Sequence, residues 1–211
     1  MNSIAARCSQ KGFALHELLT ILIIVVVLFF SALYLQKYYQ ADARRWACVN
    51  NLKQIGLACK TWQNDHGDRY PMVRFSIING AEAFRYFQVM SNELSTPYNL
   101  TCPADTRVPT SQFALLNDQN ISYFVGLDAS GGYPKVFLSG DRNISAPTKP
   151  ENGILKIRPG DKIAWTAEMH KKIGNILCVD GSVQSWLDAA LQKGLQDSGD
   201  STIVWRIALP E

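Results

Sequence analysis

A run of 23 mainly apolar residues, from Phe13 to Leu35, constrains this chain more than any other feature of its sequence. The run contains neither Gly nor Pro, so nothing in it breaks a helix. At about 1.5 Å per residue, the helix reaches roughly 35 Å, which exceeds the hydrocarbon thickness of a bilayer. We therefore predict a membrane-spanning helix over residues 13–35.

The flanks of this helix predict its orientation and its retention. The segment 1–12 is short and polar and carries Arg7 and Lys11. Positively charged flanks of a membrane helix stay on the cytoplasmic side. The bulk of the chain then lies on the opposite side of the membrane from the cytoplasm. Neither Phe29-Phe30 nor the stretch 34–38 at the end of the apolar run offers a good small-residue site for signal peptidase, so we expect the helix to remain in the mature protein.

The charge balance disfavours nucleic acid as a partner. The 211 residues include 21 Lys and Arg against 18 Asp and Glu, a formal net charge of +3. No basic stripe in the sequence is available to follow a phosphate backbone. The G-x-S-x-G, H-E-x-x-H and P-loop patterns are also missing from the sequence, and we predict that the protein is not an enzyme.

Two ionisable residues, His16 and Glu17, lie inside the apolar run. An unpaired carboxylate in hydrocarbon costs several kcal/mol, so a Glu at this position indicates a functional role. The segment from Lys11 to Thr20 resembles the type IV prepilin processing motif. In that motif a basic leader ends in Gly, an aromatic first residue follows, and a Glu stands four positions later.

The resemblance implies that a prepilin peptidase cuts between Gly12 and Phe13 and methylates the new amine of Phe13. It gives Glu17 a role in assembly, because the terminal amine of a neighbouring subunit can neutralise its carboxylate. The implied partners are the peptidase, the membrane and other pilin-like subunits in a homo- or hetero-filament. The implied location is a single pass through the inner membrane with a periplasmic head, exposed on the cell surface when in a filament. His16 departs from the family, which usually has an aliphatic residue there, and the mid-helix Pro of many pilins is missing.

The predicted helix continues well beyond the membrane. Neither Gly nor Pro occurs from Phe13 to Ile55, and the outer half predicts a stripe buried against a globular head, formed by Cys48, Leu52, Ile55, Cys59 and Trp62. A turn near residues 64–68 ends the helix. We divide the chain into a leader (1–12), a transmembrane half of the helix (13–35), an exposed amphipathic half (36–63) and a globular head (64–211).

The head is predicted to be mainly antiparallel β-sheet. Segments rich in β-branched and aromatic residues, separated by Gly-containing turns, predict strands at 122–127, 135–138, 162–167, 174–179, 182–186 and 202–207. Short helices are expected at 81–91 and 187–195, with a long loop at 96–120. A long helix packed on such a sheet makes an α+β fold, and the prepilin resemblance implies the same pilin-like fold.

Three further segments resemble a set of prepilin-like proteins abundant in Planctomycetes and Verrucomicrobia. The first runs from Cys48 to Ala58, and the second is Cys102-Pro-Ala-Asp, similar to their Cys-Pro-Ser-Asp loop. The third is His170 followed after nine residues by Asp180-Gly181, with Asn175 between them. This resemblance implies architecture and export more than a particular task.

Four cysteines remain once Cys8 is lost with the leader, and an oxidising compartment favours two disulfides among them. Cys48 and Cys59 are about 16.5 Å apart along one helix, too far to pair. Each can therefore reach Cys102 or Cys178, which leaves two connectivities. The resemblance favours Cys48 with Cys102, both in family-like segments, and Cys59 with Cys178 as an extra bridge. A four-thiolate zinc site is the alternative, disfavoured because the sequence has no C-x-x-C pair.

The His170 motif is read as structural. Asp180-Gly181 between two short apolar strands predicts a two-residue hairpin with a type I′ turn. An extended strand would keep His170 too far from Asp180 for a direct bond. We expect His170 to be a hydrogen-bonding or packing anchor for the hairpin, with a metal or partner site as the alternative.

Other candidate sites are weaker. Asp197 and Asp200 are calcium candidates, together with Asp65, Asp68 and Asp128, but two or three nearby oxygens fall short of the six or more that calcium needs. No other cofactor is expected. Aromatic residues that would line a sugar site are Tyr123, Tyr133, Trp165, Trp186 and Trp205. The sequence thus predicts a structural subunit of a type IV pilus-like or type II secretion pseudopilus filament. The alternative is a membrane-tethered surface module that binds glycan or another substrate.

Overall fold

A computed structural model of the chain describes residues 15–74, 82–129, 135–158, 160–197 and 204–210. The chain divides into two compact units, residues 1–42 and 43–211. Helix α1, Leu15–Asp65, contributes residues to both. In the first unit, every side chain from Leu15 to Ala41 is exposed. One stretch of α1 is long and apolar enough to cross a membrane.

The second unit buries the predicted stripe of α1. Its buried residues include all five of the predicted stripe: Cys48, Leu52, Ile55, Cys59 and Trp62. Four short helices follow in the chain, at Pro71–Arg74 (α2), Ala83–Val89 (α3), Ser91–Leu94 (α4) and Asp188–Asp197 (α5). The predicted long loop contains three short 3-10 helices, at Pro97–Leu100, Phe113–Leu115 and Asp118–Asn120.

The strands of the second unit pair antiparallel throughout the described residues. They lie at Tyr123–Gly126 (β1), Phe137–Asp141 (β2), Ile144–Ser145 (β3), Ile154–Ile157 (β4), Ala164–Trp165 (β5), Gly174–Cys178 (β6), Val183–Trp186 (β7) and Trp205–Ala208 (β8). Six form one sheet in the order β4-β8-β1-β2-β6-β7, and β3 pairs with β5. The α+β layout of a long helix and an antiparallel sheet is therefore present.

Strand β6 shows which elements cover the two faces of the sheet. A Cβ at Gly56 of α1 would lie 2.9 Å from Leu177 Cδ1, so Leu177 faces α1. A Cβ at Gly174 would lie 2.4 Å from the Trp165 ring. Because strand side chains alternate between faces, Gly174 and Cys178 belong to the face opposite α1. Helix α5 lies on that second face, where Gly194 contacts the ring of Trp186.

The sequence misplaced some elements and missed others. Strand β2 begins two residues later than predicted and ends in Ser-Gly-Asp. Gly and Asp are depleted in strands, but here Gly140 pairs with strands on both sides and Asp141 pairs with Tyr123 of β1. Strands β3 and β4 and helix α2 were not predicted. The predicted strand 162–167 shortens to Ala164–Trp165, and the predicted helix 81–91 is divided at Met90 into α3 and α4.

Candidate functional site: a buried polar cluster

A disulfide joins α1 to the loop that follows the first 3-10 helix. It connects Cys48 with Cys102, across 54 positions of sequence and a Cα–Cα distance of 5.1 Å. The pairing that the resemblance favoured is present. The bond fixes Cys102 against α1 at the position where the helix first becomes buried.

The expected second bridge is wrong, because Cys59 and Cys178 are free and buried. Cys59 packs against Met90, with 3.6 Å between the two sulfur atoms. Cys178 points to the α5 face of the sheet, away from α1. Burial raises the pKa of the Cys59 thiol to about 12 and that of Cys178 to about 11, so both are protonated. A zinc site made of all four thiolates does not form in this arrangement.

His170 reaches the disulfide from the segment before β6. Its Nε2 lies 3.4 Å from Cys102 Sγ and 3.5 Å from Asp141 Oδ2. The next two residues, Lys171 and Lys172, both have positive φ, at 54° and 64°. These two left-handed residues separate His170 from β6, and the buried imidazole lies beside Asp141 of the sheet.

Asp141, the last residue of β2, lies at the centre of the cluster and is fully buried. Its Oδ2 accepts hydrogen bonds from the backbone N and the Nδ2 of Asn175, both at 2.8 Å. Asn175 Oδ1 in turn accepts a hydrogen bond from Ser185 at 2.6 Å. Asp141 Oδ1 is buried and makes no hydrogen bond within the described part of the chain. One carboxylate oxygen is thus firmly oriented, and the other keeps acceptor capacity.

Burial favours the uncharged form of both the Asp141 carboxyl and the His170 imidazole. Burial raises the pKa of the Asp141 carboxyl to about 7, although the Asn175 hydrogen bonds oppose this. Burial, reinforced by the positive charge of Arg45, lowers the pKa of His170 to about 4. The imidazole is therefore neutral near pH 7.

An ion pair anchors the Cys102-Pro-Ala-Asp loop. Arg142 donates from Nε to Asp105 Oδ2 at 2.8 Å and from Nη2 to Asp105 Oδ1 at 2.9 Å. Burial alone raises the pKa of Asp105, but these hydrogen bonds outweigh burial and hold the pKa below its ordinary value. The loop is consequently tied to α1 by its cysteine and to the end of β2 by its aspartate.

Parts of the three motif segments described in the sequence analysis meet at this cluster. Asn51 of α1 donates to the Thr101 carbonyl at 3.1 Å and to the Tyr123 hydroxyl at 3.3 Å. The backbone N of Cys102 donates to Ser122 Oγ at 2.9 Å. With His170, these contacts bring the α1 segment, the cysteine loop and the β6 segment together. Asp141 and Arg142, which complete the cluster, were missed because a strand that ends in Ser-Gly-Asp and is followed by Arg carries no sequence signal of a site.

Asp180 and Gly181 belong to a different place. The predicted type I′ turn is wrong, because only Gly181 of the pair has a positive φ, +83°. Gly181 N donates to the Cys178 carbonyl at 2.9 Å and Cys178 N to the Ser182 carbonyl at 2.9 Å, the pattern of a three-residue loop with a left-handed glycine. The Asp180 carboxylate accepts from Ser182 N at 2.8 Å, so it stabilises the turn and is not a partner of His170.

A cleft of about 250 Å³ lies on the α5 face, beside this turn. Its walls include Cys178, Asp180, Gln184, Trp186 and Lys193. Of the aromatic residues predicted to line a sugar site, Trp186 lies there, whereas Tyr123, Trp165 and Trp205 are buried in the core. Tyr133 lies outside the described residues.

The remaining predicted sites are only partly within the described residues. Gly12 and Phe13 lie outside them, and Glu17 is exposed in the first turn of α1. Asp197 pairs with Lys193 at 2.7 Å, and Asp200 is outside the described residues. The processing, assembly and calcium assignments therefore stay predictions.

Comparisons with models of protein families, with curated proteins and with solved structures found no match for this chain.

Proposed function

We propose that this protein is a structural subunit of a type IV pilus-like or type II secretion pseudopilus filament, processed by a prepilin peptidase. The observation that carries the proposal is the order of Gly12, Phe13 and Glu17 at the start of the apolar run. The exposure of α1 from Leu15 to Ala41 supports it. An apolar surface of that length needs lipid or neighbouring helices around it.

Processing is tested by the N-terminal mass of the mature protein. We expect the chain to begin at N-methylated Phe13, since a peptidase that recognises the motif cuts after Gly12. Gly12→Val should leave the precursor intact, because the larger side chain occupies the residue before the cut. Retention of Met1 on assembled protein would reject the proposal.

Assembly is tested at Glu17. Glu17→Val should be processed like the parent protein but yield at least tenfold fewer filaments, because the carboxylate that pairs with a neighbouring amine is gone. Glu17→Asp is the matched control, which keeps the charge and should retain part of the yield. Unchanged filament yield from Glu17→Val would remove the electrostatic role.

The cleft beside α5 supports a second candidate, a membrane-tethered module that binds glycan. Trp186 supplies an aromatic surface and Gln184 and Asp180 supply polar groups, the combination on which sugars stack and hydrogen-bond. Full-length protein in detergent should then bind an immobilised glycan, and Trp186→Ala should lose that binding. Trp46→Ala, which changes an exposed tryptophan of α1, is the control.

A further inference from the structure

Three potential metal ligands converge at the Cys48–Cys102 disulfide. Cys48 Sγ, Cys102 Sγ and a ring nitrogen of His170 all lie within 4.8 Å of one another, and all three residues are buried. Asp141 adds a carboxylate oxygen 3.5 Å from His170 Nε2. The four residues come from four different segments of the second unit, so it is the fold that brings them together.

Two distances in this group already match those of a tetrahedral zinc site. With bonds of about 2.3 Å to sulfur and about 2.1 Å to nitrogen or oxygen, a tetrahedron has a sulfur–nitrogen edge of about 3.6 Å and a nitrogen–oxygen edge of about 3.4 Å. The corresponding distances are 3.4 Å, from Cys102 Sγ to His170 Nε2, and 3.5 Å, from His170 Nε2 to Asp141 Oδ2. Once their bond is broken, the two sulfur atoms must separate to about 3.8 Å. The Asp141 carboxylate does not belong to the group whose atoms all lie within 4.8 Å of one another, so it must also approach the sulfur atoms.

The surroundings supply the outer contacts that ligands in metal sites generally have. Asn175 orients the Asp141 carboxylate through two hydrogen bonds, as groups around a metal site orient its ligands. Two thiolates, one carboxylate and Zn²⁺ leave a net charge of −1. Arg45, whose positive charge acts on His170, offsets that charge.

We propose that this cluster is a redox-gated zinc site. A dithiol reductant transfers two electrons and two protons to the disulfide, which becomes the thiols of Cys48 and Cys102, while the dithiol becomes a disulfide. Zn²⁺ then displaces to solvent both thiol protons and any proton held by the Asp141 carboxyl, and it binds the two sulfur atoms, His170 Nε2 and the Asp141 carboxylate. In the oxidised protein the sulfur–sulfur bond occupies this position. The proposal is independent of filament assembly.

The test uses the full chain in detergent, reduced with dithiothreitol, freed of reductant without oxygen, and titrated with Co²⁺ and then Zn²⁺. Reduced protein should bind one equivalent of Co²⁺ and show thiolate-to-metal charge transfer with the strong visible bands of tetrahedral cobalt. Zn²⁺ should abolish both signals. The oxidised protein should show neither. Failure of the fully reduced protein to bind, or binding without a thiolate band, overturns the proposal.

Thiol alkylation gives a readout on the unmodified chain. Zn²⁺ should slow alkylation of Cys48 and Cys102 at least tenfold and leave the rates at Cys59 and Cys178 unchanged. Equal slowing at all four cysteines would indicate a general tightening of the fold and would overturn the site. Among variants, His170→Gln and Asp141→Asn should each weaken binding at least tenfold. Cys178→Ser should bind like the parent, and parent-like binding by His170→Gln also overturns the proposal.

Discussion

Asp141 and His170 illustrate how burial sets the charge of single residues in this protein. Neither residue has the solvent access that would keep its ionised form favourable, and their pKa values move toward each other and past each other. Between about pH 4 and 7 the pair therefore holds about one proton, on the carboxylate. The two shifts have opposite consequences for stability, which makes them separable by experiment.

The sign follows from proton counting in the disulfide form. Folded Asp141, with a pKa of about 7, keeps a proton that the unfolded carboxyl loses near pH 3.8. Its contribution to the free energy of unfolding therefore falls as pH rises from about 4 to about 7. Folded His170 stays neutral down to about pH 4, whereas the unfolded imidazole takes a proton near pH 6.5. Its contribution rises between those values.

We predict a nearly flat dependence of stability on pH for the parent protein between about pH 4 and 6.5, because the two contributions cancel. Asp141→Asn should become more stable as pH rises over this range, and His170→Gln should become less stable. Each slope is limited to about 1.4 kcal/mol per pH unit for one proton. Urea unfolding of the full chain in detergent, followed by tryptophan fluorescence, measures both. Slopes of the same sign in the two variants would contradict the prediction.

At the scale of elements, the sequence indicated the existence of α1, β1, β6, β7 and α5 well and their limits less well. These elements carry their own patterns, such as the helical stripe of α1 or the Gly-bounded apolar run of β6. The bounds of β2 and the existence of β3 and β4 depend on strands distant in sequence that pair with them. The residues of the site divide in the same way. His170 and the cysteines belong to sequence motifs and were predicted, whereas Asp141 is positioned only by tertiary pairing and was not.

The β6–β7 hairpin depends on the left-handed conformation of Gly181. A Cβ there would meet no atom within 4 Å, so a substitution introduces backbone strain without a clash. We expect Gly181→Val to lower the free energy of unfolding by about 1–2 kcal/mol. Gly181→Asn, which tolerates this conformation, should cost less, and chemical unfolding of both variants checks the order. Equal losses from Val and Asn would show that the turn does not require positive φ.

At the scale of the whole molecule, the Cys48–Cys102 disulfide restrains the unfolded chain over 54 positions. Closing a loop of that length removes conformational entropy equivalent to roughly 4 kcal/mol at 25 °C. We expect the double variant Cys48→Ser, Cys102→Ser to lose about that much stability when unfolded in urea with a metal chelator present. Cys178→Ser, at a buried but unbonded thiol, is the control and should lose about 1 kcal/mol. A double variant as stable as this control would contradict the expectation.

The disulfide also determines how the second unit responds to tension. Any pull on residues 15–42 enters that unit through α1, and Cys48 is the first buried residue of α1 that it meets. The disulfide at that residue transmits the force to Cys102 in the neighbouring loop. The ion pair between Asp105 of that loop and Arg142 transmits part of the force to the end of β2. The packed turns of α1 beyond Cys48 are then shielded from the pull. Reduction of the Cys48–Cys102 disulfide would remove this covalent restraint, and a pull on α1 could then separate the helix from the sheet turn by turn.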